Sequence, residues 1–394
     1  MKYLHKTATA LGGWLLVAGA AQALTPPTPV TVDGGPLGPL QISAGADGYV
    51  FAQSGTGTSS FNGNDTTGAR LSNALVTLQK STGVLQFNLA LGGNGAPLPL
   101  GTTPYQATVS NLVTGPLYFG YVTVAPPGSP VTASAGELIS LEGYEAGVDW
   151  LNANLMTTEM FYVEGSMFRG AELNYTSGPL SVTAAIGDGY ETGVYNFAQG
   201  LATLQLPNGQ SLALFYGGNL GRTGLAAKTY GGNGGYGNAA SFGTVGTYGA
   251  NYDNSQLFGA YYTWSKGNLS LTPEVQYQYA KANAALRLTG FSSNLGAALF
   301  SSYNFGTSPY SLGAFAEYWT SNGPDAWFIA PGSEGVGLSL TPTWQGKNLF
   351  VRADLGYLHL INGSYAYDGK TGAYGNSLHG RDVAQGVLEA GVTF

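Results

Sequence analysis

The chain has 394 residues, with 14 Lys and Arg against 21 Asp and Glu, a formal charge of −7, and only 9% of its residues charged. Soluble domains carry about 25% charge, so a large water-facing exterior is not expected, and an acidic chain without clustered Lys and Arg is no nucleic-acid ligand. Cysteine is absent, which excludes a disulfide framework, thiolate metal sites and cysteine catalysis.

Residues 1–23 hold Lys2 and Lys6, an apolar run from Leu11 to Ala21, and the small-x-small triplet Ala21-Gln22-Ala23. This pattern predicts a signal peptide cut after Ala23. The apolar run falls short of the roughly 20 residues that a helical span needs. No later segment supplies such a run either, so helical spans are not expected. Residues 24–40 are rich in Pro and Gly and read as an extended lead-in. From 41 to 394 the chain alternates apolar and polar residues with a period of two, the mark of strands with one greasy and one wet face.

The alternation predicts sixteen strands, at 41–53, 69–79, 84–91, 117–124, 132–141, 167–176, 180–188, 197–205, 210–217, 255–264, 268–280, 295–305, 309–319, 335–344, 348–359 and 384–394. Odd strands lead into long connections and even strands into short ones rich in Gly or Pro. Long loops at one end and tight turns at the other are the pattern of an outer-membrane barrel. We therefore expect an all-β fold, a transmembrane antiparallel up-and-down barrel of 16 strands. The alternation at Val245–Asp253 leaves 18 open, and a weak early strand leaves 14 open.

Aromatic residues end the strands on the apolar face: Trp264, Phe305, Trp344 and Phe394 at one rim, Tyr279, Tyr318 and Tyr357 at the other. These would be the two girdles at headgroup level. The last strand, ending in Phe394, has the form of a barrel's closing strand.

Charge concentrates on the third long connection. Glu137, Glu142, Glu145, Asp149, Glu159, Glu164 and Glu172 form a run in which Arg169 is the single base. A solvated outer loop would account for the charge. However, the same loop holds Tyr144, Trp150, Leu151, Leu155, Met156, Met160, Phe161 and Tyr162, which need a surface to pack on. Folding inward would bury these and aim the carboxylates at a water column. Glu142, Glu145, Asp149, Glu159 and Glu164 are thus the candidate constriction. On the polar strand faces, Glu172, Glu274, Glu317, Asp354 and Glu389 would enter the lumen. Arg352 would be their counterweight, pairing with Asp354 two residues away.

The segment from Gly136-Glu137-Leu138 and Gly143-Tyr144-Glu145 through Trp150-Leu151-Asn152 to Gly170–Tyr175, Gly178–Val182 and Asp188-Gly189-Tyr190 resembles the core of the putative β-barrel porin-2 family. The resemblance implies a water-filled channel for passive diffusion of small hydrophilic solutes. Where the family has a lysine this chain has Glu137, and the family's loop arginine is missing, so a weak cation preference is expected. The implied partners are outer-membrane lipid and lipopolysaccharide, the barrel-assembly machinery through the C-terminal strand, and the solutes themselves, with a homotrimer as a candidate assembly.

The Gly/Tyr-rich stretch 218–254 motivates a second reading, a barrel acting through its surface loops as adhesin, receptor or sheath for an electron-transfer partner. An enzyme is not expected, because His359 and His379 join no Ser-His-acid set by spacing. No cofactor or metal is expected either: the two isolated histidines beyond the signal peptide make no transition-metal site, and Asn62-Gly63-Asn64-Asp65 lacks EF-hand spacing.

Overall fold

In the computed structural model the alternating segments become long antiparallel strands. The structure describes residues 24–25, 28–54, 66–95, 98–101, 104, 106–109, 116–165, 167–189, 195–220, 255–284, 289–324, 332–362, 367–368, 373–374 and 381–394. The signal peptide, Asn62–Asp65, Val245–Asp253 and His379 fall outside these residues.

The barrel strands are β1 (Pro39–Gln53), β2 (Thr67–Lys80), β3 (Leu85–Asn94), β4 (Leu117–Val124), β5 (Val131–Leu138), β6 (Phe168–Ser177), β7 (Leu180–Gly187) and β8 (Phe197–Leu206). They continue as β9 (Gln210–Asn219), β10 (Ser255–Lys266), β11 (Leu269–Ala280), β12 (Ser292–Asn304), β13 (Tyr310–Asn322), β14 (Glu334–Gln345), β15 (Leu349–Asn362) and β16 (Asp382–Thr393).

Each strand pairs antiparallel with its neighbours in sequence. β16 returns to β1 in a register running from Gly45 opposite Thr393 to Gln53 opposite Gln385. Ala44 and Phe394 exchange two further backbone hydrogen bonds at 2.8 and 2.9 Å. The sheet is therefore a closed ring of sixteen strands without a free edge. Short turns close where left-handed backbone is available, as at Gly178 (φ 57°) and at Asn208 (φ 64°). The lead-in is less extended than expected: Val30–Asp33 doubles back through a turn at Gly35–Leu37 and pairs with Pro39–Ile42.

Alternation sorts the side chains. On β15, Leu349, Val351, Leu355 and Tyr357 face outward and are exposed, whereas Phe350, Arg352, Asp354 and Leu358 face inward and are buried. The inner wall is not uniformly polar, contrary to expectation. Phe51, Phe215, Phe300, Phe315, Trp319 and Phe350 all point into the barrel and are at most 5% exposed. They are buried because the chain itself enters the lumen, and the hydrophobic core of the molecule sits there.

Two outer connections supply the filling. From the third come Trp150, Leu155, Met156, Met160 and Val163, and from the second Leu98 and Leu100, all at most 3% exposed. Leu98–Pro99 pairs in parallel with Met156–Thr157, which ties the two connections together. Each such fully buried side chain is worth about 1.5–3 kcal/mol, enough to hold a loop inside.

Candidate functional site

The connection between β5 and β6 is mostly irregular over its described residues, with single helical turns at Asp149–Leu151 and Glu159–Tyr162, so its backbone amides and carbonyls need partners wherever it is buried. Some partners are internal. Asn152 closes the first half by accepting the Ala146 N–H at 2.7 Å and donating to the Ala146 carbonyl at 2.9 Å. The others come from the inner wall. Thr341 Oγ1 accepts the Leu155 N–H at 3.2 Å, Asp354 that of Met156 at 2.9 Å, and Glu317 that of Glu159 at 2.9 Å. Gln276 and Gln278 donate to the carbonyls of Met160 and Val163, both at 2.9 Å. The polar residues of β11, β13, β14 and β15 thus form a cradle for the loop.

The carboxylates of the loop lie in the seam between loop and wall. Exposures of 3% for Asp149 and Glu159, 5% for Glu142 and 8% for Glu164 show that they do not face open water. The reason is steric, because the aromatic and aliphatic residues interleaved with them draw the whole loop onto the wall. Glu142 Oε2 accepts the Gly165 N–H at 2.5 Å. Glu145 accepts the Thr158 N–H at 3.1 Å and the Thr158 hydroxyl. Glu164 lies against Gly143, and the charges acting on it are those of Glu274, Glu145 and Glu142.

Burial raises the loop acids above the ordinary carboxylate range. Glu142 is pushed up to about 7 against the pull of the Gly165 amide, Glu145 to about 8 against both Thr158 bonds, and Glu159 to about 8. Glu164 is also raised, first by burial and then by repulsion from its neighbours. Asp149 reaches about 6, by burial and then by Glu389, with Arg352 pulling the other way.

Arg352 does not pair with Asp354. Residues two apart on a strand are nearly 7 Å apart, whereas Glu389 stands directly opposite Arg352 across the β15–β16 ladder. The Arg352 Nε–Glu389 Oε2 distance is 2.5 Å, and Asp149 lies 3.8 Å from Nη2. Nη1 donates to the carbonyls of Asp149 and Asn152, so one guanidinium binds both wall and loop. Asp354 instead accepts from Ser339, Thr341 and the Met156 amide.

Reading the sequence missed Asp47, Ser72 and Asn73. Asp47 accepts the Asn73 N–H at 2.6 Å, and Asp149 accepts from Ser72 Oγ at 2.5 Å and from Asn73 Nδ2 at 3.0 Å. The inward parity of Asp47 on β1, shared with Ser43 and Tyr49, was the available signal. Oxygens of Asp47, Asp149 and Glu389 lie within 4.8 Å of one another, close enough for a cation. Asp47 and Asp149 are engaged by these donors and Glu389 Oε2 by Arg352, while Glu389 Oε1 is buried without a hydrogen-bond partner; with the guanidinium already seated among them, the cluster suits an ionic latch.

The wall across from the cradle differs. Glu172, Asn174, Ser181 and Thr183 point inward from β6 and β7 and remain partly exposed, with Asn174 donating to Thr183 at 2.8 Å. Of the lumen candidates, Glu274, Glu317, Arg352, Asp354 and Glu389 are at most 4% exposed, beneath or beside the loop. The rim candidates Phe305, Trp344, Phe394, Tyr318 and Tyr357 are on the outer face and more than a third exposed, and Trp264 and Tyr279 are half-buried there. His359 Nδ1 lies 2.8 Å from Asp382 on the same face. Its partners in register are Val336 and Asp382, so no hydroxyl stands opposite it.

The family model described as "Putative beta-barrel porin-2, OmpL-like" matches residues 39–394. No curated protein matches the sequence. Among solved structures, the outer-membrane expressed OmpT of Vibrio cholerae is similar with a TM-score of 0.55 and 10% identity, covering 90% of this chain and 98% of that one. The trimer form of Vibrio cholerae OmpT gives 0.53 at 10% identity, with 90% and 99% covered. Salmonella typhi OmpF gives 0.50 at 13% identity, with 93% and 100% covered. At such identities the likeness concerns the fold.

Proposed function

The chain belongs to the putative beta-barrel porin-2, OmpL-like family of bacterial outer-membrane barrels, and from that premise we propose that it passes small hydrophilic solutes by passive diffusion, with a weak preference for cations. One observation carries this reading: a loop folded into a closed barrel, packed on most of the wall and leaving a polar, partly exposed strip on β6 and β7. A barrel this wide holds an aqueous channel unless it is filled. The solute path runs between the strip of Glu172, Asn174, Ser181 and Thr183 and the face of the loop.

The cation preference is proposed from Glu172, which stands on that strip, and from the loop acids in the seam beside the path. Carboxylates in a narrow lumen act at a lower effective dielectric than in bulk water, and rings of Asp and Glu are the usual means of favouring cations. Arg352 is committed to Glu389 and to loop carbonyls. The outer-face aromatic residues are assigned to the lipid headgroups and the last strand to barrel assembly. A homotrimer is the assembly proposed.

Liposomes containing the purified protein test the reading. Swelling should be fast with small sugars and slow with larger ones, and faster with a cationic amino acid than with an anionic one of equal size. A barrel that acts only through its surface loops would leave swelling at the protein-free rate.

A further inference from the structure

The loop–wall seam brings together more acid than a packed interface can hold in charged form. From the loop come Glu142, Glu145, Glu159 and Glu164; β11 adds Glu274 and β13 adds Glu317. Four of their oxygens, Glu142 Oε1, Glu159 Oε1, Glu274 Oε1 and Glu317 Oε1, are buried without a hydrogen-bond partner. Glu159 acts on Glu317, and Glu145 acts on Glu164, Glu274 and Glu317. Tyr261 of β10 stands opposite Glu274 and near Glu164.

Farther along the seam are Asp354 and Arg352 on β15, Glu389 on β16, and Asp47 and Tyr49 on β1. Arg352 is held by Glu389 and Asp149, and Arg70 of β2 lies over the Phe51 ring at 5.4 Å. The charged groups acting on Glu164 and Glu317 are all carboxylates. Ionised together, they would repel across a seam with little water to screen them.

We propose that the loop at 139–167 is a proton-controlled gate, packed on the wall while its glutamates carry protons, and released when they lose them to water. The channel reading is needed only for the consequence, conduction; movement of the loop stands without it. A carboxyl whose packed-state pKa lies above its free value holds more protons when packed, so packing is strongest below the free value, near 4.5, and weakens as pH rises. With Glu142 at about 7 and Glu145 and Glu159 at about 8, release falls between about pH 5 and pH 8.

Because the chain has no cysteine, a single introduced thiol reports on the loop. Thr157, fully buried in the seam, is the site for Thr157→Cys, and exposed Ser177 in the β6–β7 turn gives the control Ser177→Cys. We expect the ratio of their maleimide labelling rates, in the full barrel in detergent, to rise about tenfold or more from about pH 5.5 to about pH 8.5. Adding Glu142→Gln, Glu145→Gln, Glu159→Gln and Glu164→Gln should hold the ratio low throughout. Should that variant fail to give a heat-modifiable barrel, Glu159→Gln with Glu317→Gln should reduce the rise.

A ratio that ignores pH in the parent, or rises equally in the glutamine variants, overturns the gate. Conductance recorded in parallel separates the two readings. A rising labelling ratio with no current at any pH supports the gate and removes the channel, whereas steady current with constant labelling keeps the channel and removes the gate.

Discussion

Arg352 is the residue on which wall and loop depend together. It is fully buried, bonds Glu389 across the ladder and donates to two loop carbonyls. Removing one partner of a buried pair strands the other charge, at a cost of about 3–5 kcal/mol. Arg352→Met should therefore lower stability toward urea by about that amount, and Arg352→Met with Glu389→Gln should lose less, because no carboxylate is left unpaired on β16. An Arg352→Met variant as stable as the parent would show that the guanidinium holds nothing. This pairing was not legible in the sequence. It depends on which β16 residue stands opposite Arg352, and register across a ladder is fixed by neighbouring strands rather than by the local pattern.

At the scale of the element, the loop is held as closely by what the wall lacks as by what it offers. A Cβ on Gly313, an inward position of β13, would stand 2.1 Å from the Ala153 carbonyl oxygen, and one on Gly217 of β9 would stand 1.6 Å from Glu142 Oε1. Gly313→Ala meets backbone and so displaces the loop, at about 1–3 kcal/mol of overpacking. Gly217→Ala meets only the end of a side chain that can turn. The first variant should form a normal barrel with a larger single-channel conductance, and the second should conduct nearly as the parent does. Equal conductance in the parent and Gly313→Ala would mean that the loop does not narrow the path. Glycines at inward strand positions were visible in the sequence, but their meaning appears only once a second segment is known to lie against them. The inward aromatics Phe300, Phe315 and Phe350 were passed over for the same reason: they break a polar face that was expected to meet water.

At the scale of the molecule, the barrel itself was legible. Period-two alternation and the long–short rhythm of the connections placed sixteen strands, most ending within three residues of the observed bounds, because every strand has one face toward lipid and must stay apolar there. The interior escaped this reading. A lumen narrowed by its own loops is decided by long-range packing, such as Leu98–Pro99 against Met156–Thr157, and leaves no periodic trace. The carboxylates of the third connection were found, but their place in a dry seam was not.

In the proposed channel these carboxylates would govern what passes. That role is tested by the reversal potential of single channels in a KCl gradient at about pH 9, above the values of about 7 for Glu142 and about 8 for Glu145 and Glu159. The parent should favour K⁺ over Cl⁻. Neutralising Glu142, Glu145, Asp149, Glu159 and Glu164 to Gln or Asn should move the reversal potential toward zero, more so in dilute salt, since screening acts over about 10 Å at 0.1 M. Neutralising Glu334 and Asp382, on the outer strand ends, should change it little. An unchanged reversal potential in the fivefold variant, or an equal shift from the outer pair, would contradict the account.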